Sequence, residues 1–229
     1  MTVKFSQRIF NKVQPLWDAY LEHPFVKGIG DGTLAHEKFK HYLEQDYVYL
    51  IEYSKLFSLG ATQANDLDTK TLFANLLHGT LNFEMDLHRQ YAAQFGISAQ
   101  KLAATQPAAT TVAYTSYMLN KAQNGLPYTL AAVLCCAWSY NYIGLALAQI
   151  PGASAHEFYG QWVQTYSSPE FTALAQQCID LIDEVAGEMP ASVQAELEDI
   201  VVYTSYFEHM FWDMGETLAM WPIKTLNEY

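Results

Sequence analysis

Apolar positions recur at helical spacing along almost the whole chain. Between Ser6 and Tyr20, the positions Ile9, Val13, Leu16, Trp17 and Tyr20 fall at i, i+3 and i+4 intervals, a stripe that predicts a helix packed on one face. His23-Pro24 predicts its end, because a residue before proline is pushed out of the α region. Gly28-Ile29-Gly30-Asp31-Gly32-Thr33 reads as a turn-rich connector. It is not read as a phosphate cradle, since no strand precedes it and no P-loop lysine follows. Further helical patterns cover about Leu34 to Ala61, Thr69 to Phe95, Ala109 to Asn124, Pro127 to Ile150, Ala155 to Tyr166, Pro169 to Gly187 and Ala191 to Met220. Asn124-Gly125 and Pro151-Gly152 are stop signals, while Pro127 and Pro169 suit the first turn of the following helices. No strand-like alternation, internal repeat or low-complexity linker interrupts the series. The pattern predicts an all-α bundle of about seven or eight helices forming a single domain over residues 1–229.

Pro127 to Ala155 contains no charged residue. Tyr128 to Ile150 is long enough to span a bilayer, yet Thr129, Ser139, Tyr140, Asn141, Tyr142 and Gln149 interrupt it and no Lys/Arg cluster flanks it. It reads better as the central helix of the bundle, whose polar groups need partners or a ligand inside the protein. Twelve Lys+Arg against 24 Asp+Glu give a net charge of −12, which disfavours nucleic acid and anionic membranes as partners. The three cysteines, Cys135, Cys136 and Cys178, form no disulfide framework and suit a reducing compartment. The N-terminal stretch shows no apolar signal core, so a cytoplasmic location is expected.

Four local constellations carry candidate chemistry. Asp46 and Tyr49 are three residues apart and share a helix face. Cys136 and Tyr140 stand one turn apart in the uncharged helix, where a phenol can orient or exchange a proton with a thiol. Cys135 faces about 100° away and falls in phase with Ser139 instead. Glu208, with Phe211 and Trp212 nearby, is a carboxylate among aromatics, and desolvation there raises a carboxyl pKa towards neutrality. Glu84 and His88 make an i, i+4 pair of metal-ligand types, but the Glu-x-x-His spacing of di-iron bundles is absent, so no metal is assigned. Each constellation also has a bland reading, as solvated helix surface or as core.

Taken in order, these segments resemble the TenA family (thiaminase II, aminopyrimidine aminohydrolase). The matching residues run from His23-Pro24-Phe25-Val26-x-Gly28-Ile29-Gly30-Asp31-Gly32-Thr33-Leu34 through Gln45-Asp46 with Tyr49. They continue with Glu84-Met85-x-Leu87-His88-Arg89, Tyr114-Thr115-Ser116 and Cys136-x-Trp138-x-Tyr140. Trp162-x-x-Thr165-Tyr166 and Tyr206-x-Glu208-x-x-Phe211-Trp212 complete the set. The resemblance implies a haem-oxygenase-like α-helical fold without haem and without another cofactor. It implies hydrolysis of 4-amino-5-aminomethyl-2-methylpyrimidine to the hydroxymethylpyrimidine and ammonia in thiamin salvage, with thiamin as a further substrate, and a homotetramer. It carries the nucleophile onto Cys136 and the acid onto Glu208. Substrate binding falls on Asp46, Tyr49, Tyr114, Tyr140, Tyr166 and Phe211. Cys135 occupies a position often held by proline in that family. A di-iron oxidase on the same fold and a non-catalytic pyrimidine-binding regulator are the alternatives.

Overall fold

The computed structural model describes residues 3–223. Within them eleven α-helices, one π turn and one short 3-10 turn follow one another without a strand. Helix α1 (Phe5–Glu22) buries Phe5, Ile9, Val13, Trp17 and Tyr20 along one stripe, while Pro15 lies on its exposed side. There the carbonyl that proline leaves unpaired faces water. His23 closes α1 and opens α2 (Pro24–Asp31), its Nδ1 accepting from the Phe25 N–H at 3.1 Å with Pro24 in the first turn.

The glycine-rich stretch expected as a connector is therefore helical through Asp31, and only Gly32, at φ 78°, turns the chain. Its other glycines answer to packing. A Cβ on Gly28 would lie 2.9 Å from Leu34 Cα, and one on Gly30 would lie 2.8 Å from the Leu147 side chain.

Helix α3 (His36–Gln63) leads to α4 (Leu67–Gly79), capped by Asp66, which accepts from the Thr69 N–H at 2.7 Å. The single helix expected from Thr69 to Phe95 is instead interrupted by a π turn at Thr80–Glu84 before α5 (Met85–Gln94). Ser98 caps a short helix α6 (Ala99–Ala103) that the periodicity did not signal. Helices α7 (Ala109–Ala122) and α8 (Leu126–Leu147) follow, then the 3-10 turn (Ala153–Ala155) and α9 (Gly160–Tyr166). The helix expected from Ala155 starts only at Gly160. His156 Nδ1 accepts from the Phe158 and Tyr159 N–H groups at 3.2 and 3.3 Å, diverting donors a helix would use. Helices α10 (Pro169–Ala186, capped by Ser168) and α11 (Ala191–Thr217) complete the chain.

Helix α8 is the axis, packed against α1, α3, α7, α9, α10 and α11. It is long and apolar enough to cross a membrane, but 72% of its most apolar stretch is buried by these neighbours. Its hydroxyls and amides find partners inside: Thr129 donates to Gln63 at 2.6 Å, and Asn141 donates to the Tyr166 carbonyl at 3.0 Å and to Thr172 at 2.8 Å.

Helices α8 and α9 approach most tightly at Gly144, where a Cβ would lie 2.5 Å from the Tyr166 carbonyl carbon. Backbone cannot yield there as a flexible side chain would. Gly144→Ala should lower stability by about 1–3 kcal/mol in urea unfolding. Gly79→Ala, whose Cβ meets nothing within 4 Å, should leave stability unchanged or raise it by up to about 1 kcal/mol.

Candidate active site

A cavity of about 280 Å³ opens between α3, the α4–π turn segment, α8, α9 and α10, and its walls are overwhelmingly apolar. Five of the eight residues that the resemblance assigns to the site line it: Asp46, Tyr49, Cys136, Tyr140 and Tyr166. Tyr114, Glu208 and Phe211 stand behind this wall. The Tyr114 hydroxyl donates to Glu208 Oε1 at 2.8 Å, and the Tyr114 and Phe211 rings pack against Tyr49 at 5.1 and 5.7 Å.

The two adjacent thiols separate by helical phase. Cys136 is half-buried on the cavity wall, whereas Cys135 is fully buried and turned towards α11, its Sγ 3.3 Å from Ser205 Oγ. Ser139, the partner expected for Cys135 from phase, has no hydrogen bond through its own hydroxyl. Burial pushes the Cys136 thiol well above its ordinary range and the Glu208 charge adds to the rise, while the Tyr49 hydroxyl opposes it.

Tyr49 thus stands beside the thiol from α3, its hydroxyl donating to Met118 Sδ at 3.8 Å. Tyr140, expected to serve it from one turn away, instead pairs its hydroxyl with that of Tyr42 at 3.4 Å and packs against Tyr166 at 4.8 Å. Burial also raises the pKa values of Tyr42, Tyr49, Tyr53, Tyr114, Tyr140 and Tyr166 well above that of a free phenol. These phenols are neutral at physiological pH and supply hydrogen bonds and flat faces.

The carboxylates divide by environment. Glu208 is 1% exposed, and burial raises its pKa to about 8 against the Tyr114 hydrogen bond, so it carries a proton near neutrality. Asp46 is held differently, its Oδ2 lying 2.5 Å from His88 Nε2. His88 Nδ1 donates to the Glu84 carbonyl at 3.0 Å. Burial opposes a charge on His88, but the bond to Asp46 and the Asp46 and Glu84 charges outweigh it and raise its pKa. Asp46 therefore meets the cavity with an imidazole hydrogen-bonded behind it.

This also settles what the Glu84–His88 pair is. Both imidazole nitrogens are committed, which leaves His88 no lone pair for a metal. The same holds for His23 in the group it forms with His209 and Asp213 at the α2–α11 junction. Its Nδ1 accepts from Phe25, so its Nε2 carries the proton and donates to Asp213 at 3.0 Å.

Sequence reasoning missed His88 as the partner of Asp46, and Tyr53 and Glu84 as cavity residues. The signal for Glu84 was present in its helical spacing but was attached to metal chemistry.

The model of the TENA/THI-4/PQQC family matches residues 10–217. An aminopyrimidine aminohydrolase of Halalkalibacterium halodurans is 52% identical over 220 residues, covering 96% of this chain and 98% of the relative. The crystal structure of a TenA family transcription regulator from Silicibacter superposes with a TM-score of 0.86 at 29% identity, covering 93% of this chain and 97% of that one. A Shewanella denitrificans domain of unknown function with a haem oxygenase-like fold superposes at 0.74 with 16% identity, covering 93% and 92% of the two chains. On a family match that runs from the second turn of α1 to the last residue of α11, and on near full-length identity to a member, the chain belongs to the TENA/THI-4/PQQC family.

Proposed function

We propose that the protein is an aminopyrimidine aminohydrolase of thiamin salvage. It converts 4-amino-5-aminomethyl-2-methylpyrimidine and water into the hydroxymethylpyrimidine and ammonia, through a covalent adduct on Cys136. The observation that carries this reading is the meeting of a half-buried thiol and the hydrogen-bonded Asp46 on the wall of one apolar cavity, with a protonated Glu208 behind that wall.

Direct displacement at the exocyclic carbon is poor, whereas sulfur addition to the electron-poor ring lets the ring expel its substituent. Asp46 accepts from the 4-amino group, and the tyrosine faces hold the flat heterocycle. Glu208 gives its proton to a ring nitrogen as the sulfur adds. The thiol proton leaves through the Tyr49 hydroxyl towards Tyr114 and the newly formed Glu208 carboxylate. The adduct then expels the amine as ammonia, water adds to the exocyclic carbon and passes its second proton to the released ammonia, and the ring releases Cys136 as the proton on the ring nitrogen returns. With thiamin the same addition expels the thiazole.

The elevated thiol pKa supports deprotonation only when substrate is bound. A regulatory pyrimidine-binding protein would bind the same compound and release no ammonia. The protein acts in the cytoplasm as a homotetramer of single-domain chains, which light scattering of the purified protein tests.

Ammonia release by wild type decides between hydrolase and regulator. Cys136→Ser should lose about 10³-fold or more in kcat, while Cys135→Ser, whose thiol faces Ser205, should stay within about threefold. Loss confined to the Cys135 variant would overturn the assignment.

The pH profile tests the acid. A carboxyl with its pKa at about 8 is active in its protonated form, so kcat/KM should fall as pH rises through that value. Tyr114→Phe removes a hydrogen bond that favours the carboxylate, so the falling limb should move to higher pH. An unmoved limb would assign the ionisation elsewhere.

A further inference from the structure

Glu84 lines the cavity but has no part in the chemistry above. The π turn Thr80–Glu84 places it there, a widened turn of the kind that recurs at functional sites. Among the described residues only one of its carboxylate oxygens is engaged, Oε2 accepting from the Thr80 hydroxyl at 3.1 Å. Its backbone is pinned as well, since the Glu84 carbonyl accepts from His88, the residue that holds Asp46. The Asp46 carboxylate and the Glu84 backbone are thereby tied to one imidazole, and both side chains line one cavity.

The proposed substrate presents two nitrogens in the matching arrangement, the 4-amino group and the 5-aminomethyl group on adjacent ring carbons. Asp46 takes the first. We infer that Glu84 takes the second, its free oxygen holding the exocyclic ammonium and making this residue the determinant of selectivity for an amine leaving group. This inference rests on the aminohydrolase reading.

Burial raises the pKa of Glu84, with the positive His88 and the Thr80 hydroxyl acting against the rise; an ammonium beside it draws it to the carboxylate form. When the ring expels the substituent, the C–N bond breaks with its electron pair on nitrogen. The ammonium then leaves as neutral ammonia with its three protons, and Glu84 remains a carboxylate. The hydroxymethyl product offers Glu84 no positive charge and is held less tightly at this point, which favours its release.

Binding measured without turnover tests the assignment. In a Cys136→Ser background, calorimetry at neutral pH compares the aminomethylpyrimidine with the hydroxymethylpyrimidine. Adding Glu84→Gln should weaken the amine about tenfold or more, the size of a lost charge-assisted hydrogen bond, and weaken the alcohol by less than about threefold. Glu84→Asp, which keeps the charge on a shorter arm, should retain an intermediate preference. Equal weakening of both compounds would reduce Glu84 to a structural role, and unchanged affinities would remove it from the site. Wild-type protein that released no ammonia would defeat the hydrolase reading itself, whichever way the binding fell.

Discussion

Helix α8 carries no charged side chain over its 22 residues and presents apolar surface around most of its circumference. Such a helix is stable only when enclosed, and α1, α3, α7, α9, α10 and α11 enclose it. The consequences reach the chemistry. Any thiol on α8 is taken out of water, and any carboxylate pointed at it from a neighbour loses solvation as well. Close approach at Gly144 brings the α9 backbone against α8, which sets Tyr166 and Tyr140 with their rings 4.8 Å apart. The site is thus assembled by the burial of one helix, and its polar groups come from several elements around that axis.

An apolar cavity with few polar groups makes each charge count, because little water is present to screen it. Glu208 responds by keeping its proton, Asp46 by pairing with His88, and Cys136 by remaining a thiol. Two of the three thus stay protonated, and the third is hydrogen-bonded to an imidazole. Glu208 and Asp46 are distinguished by their partners: a neutral phenol stands against Glu208 and an imidazole against Asp46.

How much of this was legible in the sequence follows from the range of each interaction. Helices α1, α3, α7, α8, α10 and α11 were readable because apolar spacing is a local property. The glycines before Leu34 misled because glycine marks both turns and close contacts, and here Gly28 and Gly30 serve the second purpose within α2. The delayed start of α9 turned on a side-chain acceptor, His156, that periodicity does not register. Phase within α8 separated Cys136 from Cys135 without any structure. It also suggested Tyr140 as the thiol's partner, and there the local reading failed, because Tyr49 arrives from α3 through packing. The bond from Asp46 to His88 joins residues 42 apart in the chain and has no sequence period to reveal it.

The thiol is the point at which these constraints meet. Burial works against a thiolate in the free protein, the Glu208 carboxyl adds to this where it is ionised, and the Tyr49 hydroxyl offsets only part of the effect. Burial, with the Glu208 carboxyl adding to it, pushes the Cys135 pKa up to about 12, and its sulfur faces Ser205 away from the cavity. Cys136 differs in one respect, that it borders a cavity. In the proposed reaction a ring entering that cavity supplies an electrophile and a nitrogen that takes the Glu208 proton, and the Glu208 carboxylate so formed can take the proton that the thiol gives up. On that proposal the sulfur adds only with the ring in place, while burial keeps the Cys136 thiol protonated in the free protein.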